Sequence, residues 1–236
     1  MDLLWRGLVD AAQLILSRDP TLLQVTSLSL LVSCAATTLA ALAGIPAGVA
    51  LTTGRFRGRT FVQVLVNTGM GLPPVVIGLV ITVLLWRSGP LGGLQLLYTP
   101  AAMVLAQFIV AAPIVAGLTR AALDLVSPEM VQALRVDGAD RVTVGREIVR
   151  SALPQVLVAV AAGFGRAIAE VGASLMVGGN IAGYTRILTT DITLETGRGN
   201  FALAMALGMV LLVLAFAVNL VLHWAAVPWQ LARRRT

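Results

Sequence analysis

Apolar residues run in five long blocks along the chain, at residues 22–51, 61–86, 101–123, 153–177 and 200–224, with polar stretches between them. A helix rises about 1.5 Å per residue, so crossing a hydrocarbon layer of roughly 30 Å takes around 20 apolar residues, and each block is long enough. The pattern predicts five membrane-spanning helices. The first block is longer than needed, which predicts a tilt or a kink at Pro46. The second is interrupted by Gly69-Met70-Gly71-Leu72-Pro73-Pro74, where two prolines lack amide donors. In a bilayer such a break stands only where protein or a water-filled cavity satisfies the freed carbonyls. The residues leave open both a plain proline kink and a break that lines a pathway.

Residues 2–18 follow a different rhythm. Leu4, Leu8, Ala12 and Ile15 fall on one stripe and Asp2, Arg6, Asp10, Gln13 and Ser17 on the other, the period of an amphipathic helix. It is too polar to span, and it lacks the basic start and cleavage site of a signal peptide. The expectation is an interfacial helix within residues 1–20 that ends before Asp19-Pro20.

Composition turns this pattern into a class. The chain is 58% hydrophobic and 12% charged, with a mean hydropathy of +0.90, whereas soluble domains carry about 25% charged residues. It reads as an all-α integral membrane protein. All seventeen basic residues are arginine, and there is no lysine. A phosphate-binding loop that needs its lysine is therefore excluded, as is a lysine Schiff base. One cysteine, Cys34, and one histidine, His223, allow neither a disulfide framework nor a Cys/His metal cluster within one copy. The arginines are scattered among apolar runs, without the basic patch and interleaved aromatics of a nucleic-acid binder.

Their distribution predicts orientation. Arg55, Arg57, Arg59, Arg120, Arg135, Arg141, Arg146, Arg150, Arg233, Arg234 and Arg235 cluster at one set of span ends, while the other set holds Arg6, Arg18, Arg87, Arg186 and Arg198. The positive-inside rule puts residues 124–152 and the basic tail at 231–236 in the cytoplasm and the N-terminus outside.

The longest polar stretch, 124–151, reads as helical. Ser127-Pro128-Glu129 supplies an N-cap, a proline at the first helical position and an acid in the first turn. A helix, a turn permitted by Gly138 and a second short helix make a knob suited to docking. On these residues the chain resembles the inner-membrane permease subunits of ATP-binding-cassette importers. Their signature is Glu-Ala-Ala, three residues, Gly, nine residues, Ile, one residue, Leu-Pro. Ala133, Gly138 and Ile148 match in spacing; Gln132 replaces the glutamate, Leu134 the second alanine, and Leu153-Pro154 comes three residues late. The resemblance implies a five-span type I ABC importer transmembrane domain over residues 21–230, with a cytoplasmic coupling helix in 127–153 beside the interfacial N-terminal one. It assigns ATPase coupling to Gln132, Ala133, Gly138, Ala139 and Ile148.

Arg166 and Glu170 stand four apart inside the fourth block, on one helical face where they can pair. An arginine in a span costs roughly 2.5–3.5 kcal/mol on insertion scales, so such residues face a pathway or a partner. A translocation role and an interhelical clamp both remain open. The following run, Val177-Gly178-Gly179-Asn180-Ile181-Ala182-Gly183-Tyr184-Thr185-Arg186-Ile187-Leu188-Thr189-Thr190, with Leu194-Glu195-Thr196, looks like the oxyanion branch of these permeases. Within that branch it resembles the tungstate type most. Gly71-Leu72-Pro73-Pro74 and Ser88-Gly89-Pro90-Leu91-Gly92 extend the resemblance. It places Arg166, Glu170, Asn180, Thr189 and Thr190 along the pathway or gate. Thr189 or Thr190 can cap a short helix whose amides attract anions, although Asp191 beside them repels one. The bland readings are a turn for Asn180, a surface cation for Arg186 and an interfacial position for His223.

The same resemblance implies a non-catalytic subunit with no cofactor of its own. It implies a homodimer set in membrane lipid, two ABC ATPase subunits that bind ATP and Mg, and an extracytoplasmic oxyanion-binding protein. The rivals are a molybdate or sulfate permease of the same fold, a gradient-driven carrier or channel using Arg166 and Glu170, and a structural scaffold. A scaffold would tolerate Gly138→Arg, which is otherwise expected to abolish ATPase docking by filling the turn.

Overall fold

A computed structural model describes residues 20–54 and 56–233, with Val9 and Ala12 alone before them, and side chains through 225 apart from His223. The amphipathic helix expected over 2–18 thus lies outside the described residues, except that Val9 and Ala12 are helical and exposed. So do Arg55, the His223 side chain and residues 234–236 of the basic tail.

From Pro20 on, the described residues form ten α-helices: α1 Pro20–Thr53, α2 Arg59–Met70, α3 Pro74–Leu85, α4 Pro100–Leu123, α5 Pro128–Val136, α6 Arg141–Ser151, α7 Leu153–Ile168, α8 Gly172–Gly178, α9 Leu188–Gly197 and α10 Phe201–Arg233. No strand occurs among the described residues. By length and composition α1, α4 and α10 can each cross a membrane. Two further pairs qualify together, α2 with α3 and α6 with α7. α1 runs through Pro46 as one helix. The second block turns by 106° at its Gly-Pro break, far more than a proline kink, and α6 meets α7 at 80°. The fourth block stops at Ile168 and restarts at Gly172.

Helices in lipid gain no hydrophobic drive from one another, because acyl chains are as apolar as leucine; close van der Waals contact between small residues takes its place. Along α1, the row Val32, Ala36, Ala40, Gly44 and Gly48 repeats every four residues and is buried. A Cβ on Gly44 would stand 2.9 Å from Val115 Cβ and 3.0 Å from the Ala116 nitrogen of α4, and one on Gly48 would stand 2.9 Å from Thr119 Cβ. From the other side Gly163 of α7 leaves room for Val115 Cγ2, 2.6 Å from where a Cβ would be. Val115 therefore sits in a notch cut by two glycines, and α1, α4 and α7 close into one unit around Ala40, Ala111, Val115 and Ala167.

A second cluster joins α3, α4 and α8 through Ile77, Ile81, Leu85, Met103, Ala106 and Val177. A third, built on Leu123, Val144, Ile148, Ala152 and Val156, fastens α6 to the ends of α1 and α4. Large apolar side chains such as Phe61, Leu65, Val83, Leu212 and Phe216 point outward from α2, α3 and α10. Such faces suit lipid or a second membrane-embedded surface.

The glycine seam gives a direct test. Gly44→Leu is expected to destabilise the chain by about 1–3 kcal/mol through overpacking, read as a lower unfolding temperature in detergent. Gly208→Ala in α10, where a Cβ meets nothing within 4 Å, is expected to stay within about 0.5 kcal/mol of the parent.

Candidate translocation and coupling site

Where α7 ends and α8 begins, the chain must satisfy peptide groups that no helix ladder serves. Arg166, in the last turn of α7, donates from Nη1 to Glu170 Oε2 at 3.1 Å, and the Ala173 amide of α8 donates to Oε1 of the same carboxylate at 2.9 Å. One side chain thus ties the end of one helix to the start of the next. A buried carboxylate is costly unless paired and hydrogen-bonded, and Glu170, only 2% exposed, is both. Its charge also lies at the positive end of α8. Arg166 keeps 32% of its side chain exposed, so the guanidinium is the part of the pair that reaches the surface.

The break is then latched to the elements around it. Thr189 Oγ1 of α9 donates to the Glu170 carbonyl at 2.9 Å. Gly179 and Asn180, at φ 70° and 51°, are consecutive left-handed residues that turn the chain after α8. Thr190 Oγ1 donates to Asn180 Oδ1 at 2.9 Å and accepts from the Ile187 amide at 3.1 Å. The Leu188 amide donates to Ser29 Oγ of α1 at 2.8 Å. Of the amides at the start of α9, expected as an anion lure, that of Leu188 is therefore engaged by Ser29, and that of the preceding Ile187 by Thr190. Arg186, expected as a surface cation, is mostly buried and faces Asp191 at 3.6 Å.

The five residues assigned to the pathway or gate come together as Arg166–Glu170, Glu170–Thr189 and Asn180–Thr190. Sequence reasoning missed a second tie. Ser33 Oγ donates to Gln107 Oε1 at 3.1 Å, and Gln107 Nε2 donates to Ser174 Oγ at 3.2 Å, joining α1, α4 and α8 through a fully buried carboxamide. The available signal was a lone glutamine in the apolar run of α4, together with Ser29, Ser33 and Thr37 at four-residue spacing in α1.

The knob forms as its residues predict. Ser127 Oγ accepts from the Met130 amide to start α5, and Asp140 Oδ1 accepts from the Thr143 amide at 2.9 Å to start α6. Hydrogen bonds from Thr143 hold the Asp140 carboxyl below the ordinary carboxylate pKa. This cap therefore contributes at neutral pH and is lost as acidification passes that lowered value. Between the helices Gly138 adopts φ 82°, while the Gly138 and Ala139 amides donate to the carbonyls of Arg135 and Leu134. A Cβ at Gly138 meets nothing within 4 Å. Glycine is needed there for its left-handed backbone and not for space, which corrects the expectation that a larger residue would fill the turn. Ile148 is buried and Ala139 partly so; Gln132, Ala133 and Gly138 face outward beside Val136, which is 86% exposed.

Among the described residues no three His, Cys, Asp or Glu side chains gather as a metal site. The Glu170 clamp is testable by charge removal. Glu170→Gln leaves Arg166 without its counterion and is expected to cost about 1–2 kcal/mol after allowance for the exposure of Arg166. In a double-mutant cycle by thermal unfolding, Arg166→Gln with Glu170→Gln is expected to cost less than the two single changes summed.

Comparison with known proteins agrees with this architecture. Residues 40–226 match the family described as the binding-protein-dependent transport system inner membrane component. The tungstate uptake system permease protein TupB of Peptoclostridium acidaminophilum is 38% identical over 94% of this chain and 98% of its own length. A probable anion ABC transporter permease protein of Haloferax volcanii is 41% identical, covering 84% of this chain and 88% of that one. In fold, the chain is similar to an inward-facing structure of the MetNI methionine ABC transporter, with a TM-score of 0.67 at 20% identity over 92% of this chain and 96% of that one. An all-helical chain with broken apolar helices, a polar knob and these relatives belongs to the binding-protein-dependent inner membrane components of ABC transport systems.

Proposed function

We propose that this chain is the membrane-spanning, non-catalytic subunit of an importer for a tetrahedral oxyanion, tungstate first. The observation that carries the anion assignment is near end-to-end similarity to a tungstate-system permease, 38% identical over 94% of the chain. The outer segment 177–196 belongs to that similarity, and the oxyanion motifs of the sequence lie in it. Two copies pair across the exposed apolar faces, because five crossings enclose little room for a polar route. The N-terminus lies outside and the arginine-rich ends lie inside the cell. An external binding protein delivers the anion, and partner ATPases bind ATP and Mg.

In this reading the exposed face of α5, with Gln132, Ala133 and Val136, meets the ATPase. Ile148 and Ala139 anchor that face to α1 and α4 through the third apolar cluster. A push on α5 therefore reaches the glycine-packed unit as a whole. Coupling requires the ATPase to contact the two states of the permease differently, since a partner indifferent to state shifts nothing. Arg166 is the pathway-facing member of the gate. Glu170, Thr189, Thr190 and Asn180 hold the gate segment in shape.

The test is anion-stimulated ATPase activity of the assembled complex with its binding protein. Tungstate is expected to stimulate; stimulation by molybdate or sulfate in its place would overturn the anion assignment while leaving the importer reading standing. Gly138→Arg is expected to lower ATPase recovery on pull-down at least several-fold, and Gly138→Asn, which tolerates a left-handed backbone, to retain most of it. Equal recovery of both variants with the parent would remove α5 from the coupling interface.

A further inference from the structure

The segment between α3 and α4 carries features that the transport reading leaves unused. Leu85, Trp86, Arg87, Gly92, Gly93, Gln95, Leu97 and Tyr98 line a cavity of about 660 Å³. The apolar run of α3 stops at Leu85 and that of α4 begins at Pro100, so the cavity lies where hydrocarbon gives way to headgroups. Trp86 and Tyr98, half-exposed, flank it, and these are the side chains that favour that depth. Arg87 has no hydrogen bond or ion pair among the described residues. No acidic residue stands between Asp19 and Asp124 to neutralise it from its own stretch of chain.

The loop is shaped rather than slack. Gly89 donates to the Trp86 carbonyl at 2.7 Å and Leu91 to the Leu84 carbonyl at 2.9 Å. A Cβ on Gly92 would fall 2.2 Å from the Trp86 carbonyl oxygen, so the turn closes only around glycine. Tyr98 holds φ 63°, a conformation an aromatic residue rarely adopts. Its amide donates to the Val177 carbonyl at 2.8 Å, which fixes the cavity wall to the end of α8.

We propose that this cavity binds the phosphodiester of a membrane lipid, with Arg87 as the charge partner, Trp86 and Tyr98 beside the headgroup and Leu97 against the first methylenes. The geometry favours lipid over a free anion because the two interfacial aromatics that flank the cavity have nothing to contribute to a small ion. A single exposed arginine–phosphate ion pair supplies enough attraction for about a fivefold preference.

Native mass spectrometry of the full chain, released from detergent with added dioleoyl phosphatidylglycerol or with phosphate-free dioleoylglycerol, reads this directly. The parent is expected to retain phosphatidylglycerol about fivefold more than Arg87→Gln, with no such difference for dioleoylglycerol. Arg87→Lys is expected to keep most of the retention and Arg57→Gln all of it, and inorganic phosphate is expected not to displace the lipid. Equal retention by parent and Arg87→Gln, equal loss in Arg57→Gln, or displacement by inorganic phosphate would each overturn the assignment. Unfolding temperatures of the variants are measured alongside, and Arg87→Lys preserves the test should Arg87→Gln fail to fold.

Discussion

A helix interrupted in apolar surroundings has to find partners for its freed peptide groups within the protein, and that constraint organises this molecule. Water serves such groups in a soluble domain, whereas in a bilayer each unsatisfied one costs several kcal/mol. At the break between α7 and α8, the Glu170 carboxylate takes the Ala173 amide and its carbonyl takes the Thr189 hydroxyl. Thr190 serves the Ile187 amide just before α9, and Ser29 the Leu188 amide that opens it. Once these ties are made, α8 and α9 have little freedom relative to α1 and α7. The charge on Glu170 follows from the same need, and Arg166 follows from that charge.

Against this latched segment stands a close-packed unit. Gly44, Gly48 and Gly163 bring three backbones together around Val115 and Thr119, with contact enthalpy in place of hydrophobic drive. Gln107 spans from that unit to α8. The α5–α6 knob is mounted on the same unit through Ile148, Val144 and Leu123. Structures of this kind move as bodies, because packed interfaces switch between arrangements more readily than they deform. In the proposed function, displacement at the knob and displacement at the break are parts of one motion.

Much of this was legible in the sequence for physical reasons. Apolar length marked the long helices, and Ser127-Pro128-Glu129 marked the start of α5. The four-residue interval between Arg166 and Glu170 predicted their pairing, which is made although Glu170 lies past the end of α7 and not on its face. What escaped was tertiary. Nothing local says that Ser29 will meet the Leu188 amide, 159 positions away, or that Gln107 will lie between Ser33 and Ser174. The 106° turn at Pro73-Pro74 exceeds what proline alone implies, because its angle is set by the packing of Gly69 on Pro113 and of Gly78 on Ala173. The turn that glycine permits at Gly138 is present with a left-handed backbone, and the open space beside it overturns only the expectation that a larger side chain would fill it.

In the proposed function a partner ATPase moves this chain through α5, and the chain has no lysine for a phosphate-binding loop of its own. Uptake of radiolabelled tungstate into proteoliposomes tests this most directly, with the purified chain alone compared with the chain reconstituted with ATPase, binding protein and internal ATP. The account predicts accumulation against a gradient only in the complete system. Accumulation by the chain alone, driven by an ion gradient and abolished by Arg166→Gln, would contradict it.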